Sequence, residues 1–148
     1  MSEHGGHFRV TTIRRAELGD CEAVFHLARA FATSFAVERS AFEVSFSALL
    51  ESPDALLAVA ADGERVVGYV LGFDHYALFA NGRVSWVEEI MVADDVRRRG
   101  VGRRLMEAVE DWAKGRQSKL VGLATRRAEP FYRSLGYDES ATYFRRLL

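Results

Sequence analysis

Val87-Glu88-Glu89-Ile90-Met91-Val92 leads, across four residues, into Arg97-Arg98-Arg99-Gly100-Val101-Gly102. The first stretch closes a strand pattern that begins near Val84. The second opens a helix pattern over Gly102 to Lys114, with Leu105, Met106, Val109 and Trp112 on one stripe and Gly115 where a C-cap is expected. A helix start presents backbone N–H groups that lack intrahelical partners, together with a partial positive charge, so it suits an anion. Gly100 and Gly102 have no Cβ, which lets the main chain bend and approach a ligand. Successive N–H groups in such a turn can cradle a phosphate, and arginines add forked donors. Other phosphate loops fit less well. A Walker loop needs Gly-Lys followed by Ser or Thr, whereas Arg103 and Arg104 follow Gly102; the dinucleotide fingerprint needs a third Gly where Leu105 stands.

The chain upstream supplies short elements. Val10–Arg14 reads as a first strand, with Asp20 positioned to cap a helix whose apolar positions are Val24, Leu27, Ala28, Phe31 and Phe35. A second helix is predicted over Arg39–Leu50, ended by Pro53 and Asp54. Leu56–Ala61 and Arg65–Phe73 read as strands joined by an Asp62-Gly63 hairpin, and Asp74–Arg83 as a loop. Downstream, Leu120–Ala124 is a short strand, Pro130–Leu135 a short helix ended by Gly136, and Ala141–Leu148 a last strand. Hairpins early and a strand–helix–strand unit late make the fold class α/β in the mixed, α+β sense. Residues 1–7 read as a frayed tail and 8–148 as one domain.

Composition narrows the function classes. With 148 residues, 49% of them hydrophobic, the chain has material for a real core. A formal net charge of −1 gives no general attraction to nucleic acid or to an anionic membrane. Five of the arginines fall between 97 and 104, but Glu107, Glu110 and Asp111 follow on the same helix, which argues against a broad basic face for nucleic acid. The longest uninterrupted apolar run, Ala55–Ala61, is far too short to span a bilayer. Cys21 is the sole cysteine, so neither an intramolecular disulfide nor a cysteine-based metal site is expected. His4 and His7 belong to the tail, and no metal site is assigned. The single cysteine and the lack of an apolar leader segment lead us to expect a cytoplasmic protein.

Arg97-Arg98-Arg99-Gly100-Val101-Gly102 resembles the Arg/Gln-x-x-Gly-x-Gly/Ala signature of the GNAT superfamily of N-acetyltransferases, and Val87–Val92 resembles that family's central strand. Ala128-Glu129-Pro130-Phe131-Tyr132-Arg133-Ser134-Leu135-Gly136-Tyr137 is similar to its Ala-x-x-Phe-Tyr-x-x-x-Gly-Phe/Tyr segment. The resemblance runs from Val10 to Leu148. One position departs: the family often has Asn where Thr125 stands.

The resemblance implies a mixed, mostly antiparallel sheet flanked by helices, and a chain that moves an acetyl group from acetyl-CoA to a primary amine. The pyrophosphate of acetyl-CoA is expected on the turn of Arg98, Arg99, Gly100, Val101, Gly102 and Arg103, with Arg97 opening the motif. The pantetheine arm is expected along the main chain of Ile90, Met91 and Val92. Tyr132 matches the family's usual acid for the leaving thiolate. An alkylammonium must lose a proton before it attacks, and Glu88 and Glu89 are the candidate bases. Strand alternation puts them on opposite faces, with Glu88 favoured because it shares a face with Ile90 and Val92. Two carboxylates on a central strand are costly without a use; the plainer alternative is a salt-bridged carboxylate at a strand edge. His75 is a further base candidate, and Phe73, Tyr76, Phe79 and Trp86 are candidates for lining an acceptor pocket.

Three functions remain at this point. The first is acetyl transfer to an amine, probing small molecules before protein N-termini or lysines. The second is an acyl-CoA-binding regulatory module without turnover. The third, a nucleic-acid binder, is disfavoured by charge. A homodimer through the last strand is possible in principle, because an unpaired strand edge invites another chain.

Overall fold

The computed structural model describes residues 11–148; the expected tail over residues 1–7, and Val10 of the expected first strand, lie outside them. The elements are β1 (Thr12–Arg15), α1 (Cys21–Phe31), α2 (Arg39–Glu51), β2 (Ala55–Asp62), β3 (Arg65–Ala77), β4 (Gly82–Val92), α3 (Val101–Gly115), β5 (Val121–Leu123) and α4 (Glu129–Ser134). One five-stranded sheet has the order β1-β2-β3-β4-β5. The first four strands pair antiparallel, and β4 with β5 pair parallel. The sheet is therefore mixed and mostly antiparallel, flanked by helices, as expected.

The continuous apolar run of β2 is buried on both faces, as befits a strand covered on both sides. Leu57 and Val59 join Tyr69 and Leu71 against Val24, Ala28 and Phe46 of α1 and α2. Leu56, Ala58 and Ala60 join Val67 and Val70 against Val101, Leu105, Met106 and Val109 of α3. The last three of these are fully buried, each contributing about 2 kcal/mol of transfer free energy. Among the described residues, no helix is long and apolar enough to cross a membrane.

Four local expectations need correction. Asp74–Arg83 is not a loop: β3 and β4 continue to a register of Ala77 opposite Gly82, with only residues 78–81 turning. Cross-strand pairing overrides the polarity of Asp74 and His75, because Asp74 is held by buried ion pairs. Asp20 makes no cap bond to α1; its carboxylate accepts the Glu17 N–H at 2.8 Å and both Arg14 nitrogens at 2.7 and 2.9 Å, closing the turn before the helix. Gly115 is the last helical residue, and the left-handed position beyond it is Gln117. Finally, Ala141–Leu148 forms no strand: a strand needs a neighbour, and none of the five strands lies alongside it.

Candidate active site

The turn between β4 and α3 is built by two left-handed residues. Val96 is buried and anchors the chain after β4. Arg98 then takes φ 68° and Gly100 φ 79°, and α3 starts at Val101. A left-handed residue next to a right-handed one turns successive N–H groups to the same side. The first helical bond runs from Arg104 N–H to Gly100 C=O at 3.1 Å, so the N–H groups of Val101, Gly102 and Arg103 have no intrahelical acceptor. Gly100 occupies the N-cap position and has no side-chain oxygen to take them, unlike Ser or Asp there. The space where a Cβ would stand at Gly100 is open for 4 Å. At Gly102 the Cβ position is 3.2 Å from the Phe131 ring. The second glycine thus lets α4 pack on the first turn of α3.

The five arginines differ in what they hold. Arg97 pairs with Asp94 at 2.9 Å, and Arg104 donates to the Thr11 carbonyl. Arg98, Arg99 and Arg103 are exposed and have no side-chain partner among the described residues.

The edge of β4 opens toward this turn. β4 pairs with β5 only from Ser85 opposite Val121 to Val87 opposite Leu123. Pairing with β3 skips from Leu71–Glu89 to Gly72–Val87, so Glu88 is the extra residue of a bulge. The break with β5 and the bulge coincide. Past it, Ala93 N–H bonds Val67 C=O at 2.8 Å, and antiparallel alternation then turns Met91 toward β3 and the main chains of Ile90 and Val92 away from it. These groups form an edge of about 13 Å between Glu88 and Val92 that no strand pairs, although the Arg97 Nε–H donates to the Val92 carbonyl at 3.4 Å.

The bulge also rearranges the faces. Val87 and Ile90 both pack on the α3 side, three residues apart, while Met91 packs on the α1/α2 side. Strict alternation would separate Val87 from Ile90. Alternation therefore breaks at Glu88 and no longer decides which face Glu88 shares with Ile90 and Val92. Glu88 is exposed and Glu89 half-buried. Glu89 sits opposite Leu71, and the Tyr69 hydroxyl donates to its Oε1 at 2.7 Å. Burial pushes the Glu89 carboxyl above its ordinary range, opposed by the Tyr69 hydrogen bond and reinforced by the Glu88 charge. Tyr69 is itself 2% exposed, and burial pushes its hydroxyl up as well.

Tyr132 lies on α4 and is buried; its ring packs edge-on to Phe131 at 5.0 Å and to Tyr137 at 6.1 Å between centroids. Burial raises its hydroxyl above the ordinary value, so the group is a protonated donor near neutral pH. Thr125 Oγ1 accepts the Ala128 N–H at 3.0 Å, holding the entry to α4. His75 is exposed, and its ring Nδ1 is hydrogen-bonded to the Tyr76 carbonyl at 3.1 Å. The four aromatics do not assemble: Phe73 stands opposite Trp86 in the sheet, while Tyr76 and Phe79 are exposed near the tip of the hairpin.

Sequence reasoning missed Tyr69. The residue was legible as a strand aromatic, but its pairing with Glu89 depends on the bulge, which offsets the two strands by one residue. It also missed the cluster at the other end of α3. There Asp74, its side chain 0% exposed, accepts from Arg83 at 2.8 and 2.9 Å and from Arg116 at 2.5 Å. Both arginines continue to Asp54.

A model of the Acetyltransferase (GNAT) family matches residues 21–137. The chain is 23% identical over 137 residues to the uncharacterized N-acetyltransferase YhfO of Bacillus subtilis (strain 168), covering 88% of this chain and 92% of that one. It is 42% identical over 62 residues to the aminoglycoside N(6′)-acetyltransferase type 1 of Klebsiella aerogenes, which is 41% of each chain. A solved structure described as a transcriptional regulator from Bacillus halodurans C-125 superposes with a TM-score of 0.84 at 24% identity, covering 94% of this chain and all of that one.

Proposed function

This chain belongs to the Acetyltransferase (GNAT) family, and we propose that it transfers an acetyl group from acetyl-CoA to a primary amine of a small molecule by direct attack on the thioester. The observation that carries this reading is the unpaired edge of β4, which breaks from β5 at the bulge and leads to the open helix start at Gly100. The residues fit the donor. The main chains of Ile90 and Val92 offer an edge to an amide-bearing arm, while that of Met91, between them, is turned to β3. The N–H groups of Arg98, Arg99, Gly100, Val101, Gly102 and Arg103 offer a cradle for its pyrophosphate, and exposed arginines stand beside them. Acetyl-CoA supplies the activated acyl group.

The protein's own groups handle the protons. The N–C bond forms as the C–S bond breaks; the amine proton goes to a carboxylate, and the thiolate takes one from the Tyr132 hydroxyl. The weight for the base moves to Glu89. A carboxylate raised by burial is a better proton acceptor near neutral pH than an ordinary one, and Tyr69 holds it in place. Glu88, exposed at the bulge, is the alternative.

The test is thiol release across a panel of amines, aminoglycosides, polyamines, amino acids and peptides. With an accepted amine, Glu89→Gln should lower kcat about 100-fold at neutral pH and recover partly at higher pH, where more amine is already neutral. Tyr132→Phe should lower kcat about 10-fold or more while acetyl-CoA affinity holds. A loss confined to Glu88→Gln would move the base to that residue. Peptide acceptors alone would redirect the substrate class. Acetyl-CoA binding without thiol release for any acceptor would favour the regulatory module.

A further inference from the structure

Tyr69 lies on the middle strand of the sheet and is 2% exposed. It belongs to the cluster of Val24 and Ala28 from α1, Phe46 from α2, and Leu57 and Val59 from β2. Such surroundings would suit phenylalanine. The hydroxyl is the exception, because a buried polar group needs a partner. It has one: it donates to Oε1 of Glu89 at 2.7 Å. Oε2 of the same carboxylate accepts no hydrogen bond among the described residues and is not closed off from solvent. The register fixes the pair. Glu89 stands opposite Leu71, and Met91 opposite Tyr69, so the tyrosine reaches Glu89 diagonally across two strands. Both lie on the face that α1 and α2 cover.

We propose that Tyr69 is a positioning residue for the reaction, whose hydroxyl occupies Oε1 of Glu89 and reserves Oε2 for the proton of the acceptor amine. This role rests on Glu89 being the base of the acetyl transfer. The amine nitrogen gives its proton to Oε2 as it bonds to the thioester carbon, and the carboxylate becomes a carboxylic acid. Oε1 is then the carbonyl oxygen and still accepts from Tyr69. The anchor holds before and after transfer. Tyr69 keeps its own proton, since burial and the facing carboxylate push its hydroxyl up. The same bond bears on pH. A hydrogen bond to an ionised carboxylate favours that form, so Tyr69 opposes the burial that raises Glu89, while Glu88 next along β4 adds to the rise. The charged groups of α1 and α2 are engaged elsewhere or exposed. Glu22 is held by His26 and Arg39, and Arg29 lies over the Phe25 ring at 5.6 Å. Glu43 bears on the Cys21 thiol, and Glu51 is exposed at the end of α2.

Tyr69→Phe keeps the ring and removes the hydroxyl. Carbon NMR of the full chain, labelled at its glutamate carboxyls, reads the titration of Glu89 without any acceptor; its signal is the one lost in Glu89→Gln. Glu89 should titrate about one pH unit higher in Tyr69→Phe. With an accepted amine, the acid limb of kcat/KM for that amine should move up by the same amount. On the plateau kcat should fall about fivefold while KM for acetyl-CoA holds. Added to Glu89→Gln, Tyr69→Phe should change turnover by no more than about twofold, because it acts through that carboxylate. An unmoved titration, an unmoved pH profile, or a full further loss in the double variant, as a side chain serving only packing would give, overturns the role of Tyr69 and leaves Glu89 as the base. Wild-type turnover in Glu89→Gln, or no turnover with any amine, instead removes the base reading and Tyr69 with it.

Discussion

Helix α3 carries arginines at both ends, and the two ends use them in opposite ways. At the C-terminal end, Arg116 joins Arg83 around Asp74, whose carboxylate is closed off from solvent. Those charges serve the fold, stitching β3, β4 and α3 together. At the N-terminal end, Arg98, Arg99 and Arg103 stay exposed without side-chain partners among the described residues, next to a cap residue with no side chain. A cation that finds a buried carboxylate is spent on stability; a cation left open beside free N–H groups is available to a ligand. The same residue type therefore reads as structural or functional according to what stands opposite it, not according to how densely it occurs.

The largest effect that separates the ends should be on stability. Asp74→Asn leaves Arg83 and Arg116 facing a neutral group in a site where they are 20% and 29% exposed; urea unfolding should show a loss of about 3 kcal/mol. Acetyl-CoA affinity, by calorimetry, should hold within twofold. A parallel loss of affinity would mean that the two ends are one unit.

Acid should expose the same cluster. Burial alone would raise the Asp74 carboxyl, but the hydrogen bonds from Arg83 and Arg116 bring it down to about 2, from an ordinary 3.8. Because the folded value is the lower one, its stabilisation is fully present above pH 4 or so and is lost as pH falls toward 2. The amount is about 2.5 kcal/mol. Unfolding free energies measured at a series of pH values should show this acid loss in the wild type, with a shallower slope in Asp74→Asn. Equal slopes would remove Asp74 as the source.

At the other end the loss should appear in binding. Gly100→Val sets a β-branched residue at φ 79° and fills the approach to the turn. Acetyl-CoA affinity should fall about 30-fold, or roughly 2 kcal/mol, with a smaller loss of about 1–2 kcal/mol in stability from the left-handed backbone. Unchanged affinity in a folded variant would remove the turn from the donor site.

The smallest effect concerns the open arginines. Arg99→Ala and Arg103→Ala should each weaken acetyl-CoA about two- to fivefold at low salt, fading as salt is raised, since exposed charges are screened. Arg116→Ala should not weaken it at all. Salt-independent losses, or an equal loss at Arg116, would collapse the distinction between the two ends.

Much of this molecule was legible from local signals. The Asp62-Gly63 hairpin forms with Gly63 at φ 62°. The α3 stripe buries Leu105, Met106 and Val109, and Pro130 and Gly136 bracket α4. The candidate site was legible in its turn and in Tyr132, because glycine placement and helix periodicity act within a few residues. It was not legible in the carboxylate pair. One extra residue at Glu88 reverses the faces beyond it, and nothing in the alternation of Val87–Val92 announces that residue.

The amino-acid sequence by itself therefore determined that a strand, a glycine turn and an amphipathic helix follow one another, and that the chain carries a tyrosine and two glutamates suited to proton transfer. Backbone freedom and side-chain period decide such things over a handful of neighbouring residues. Only the tertiary structure decided that Glu89 is the half-buried carboxylate beside Tyr69, that Arg116 is engaged while Arg99 is open, and that the last predicted strand finds no partner among the described residues. Each of these depends on what lies opposite in space, across a bulge or some tens of residues away in the chain, and that is fixed by packing.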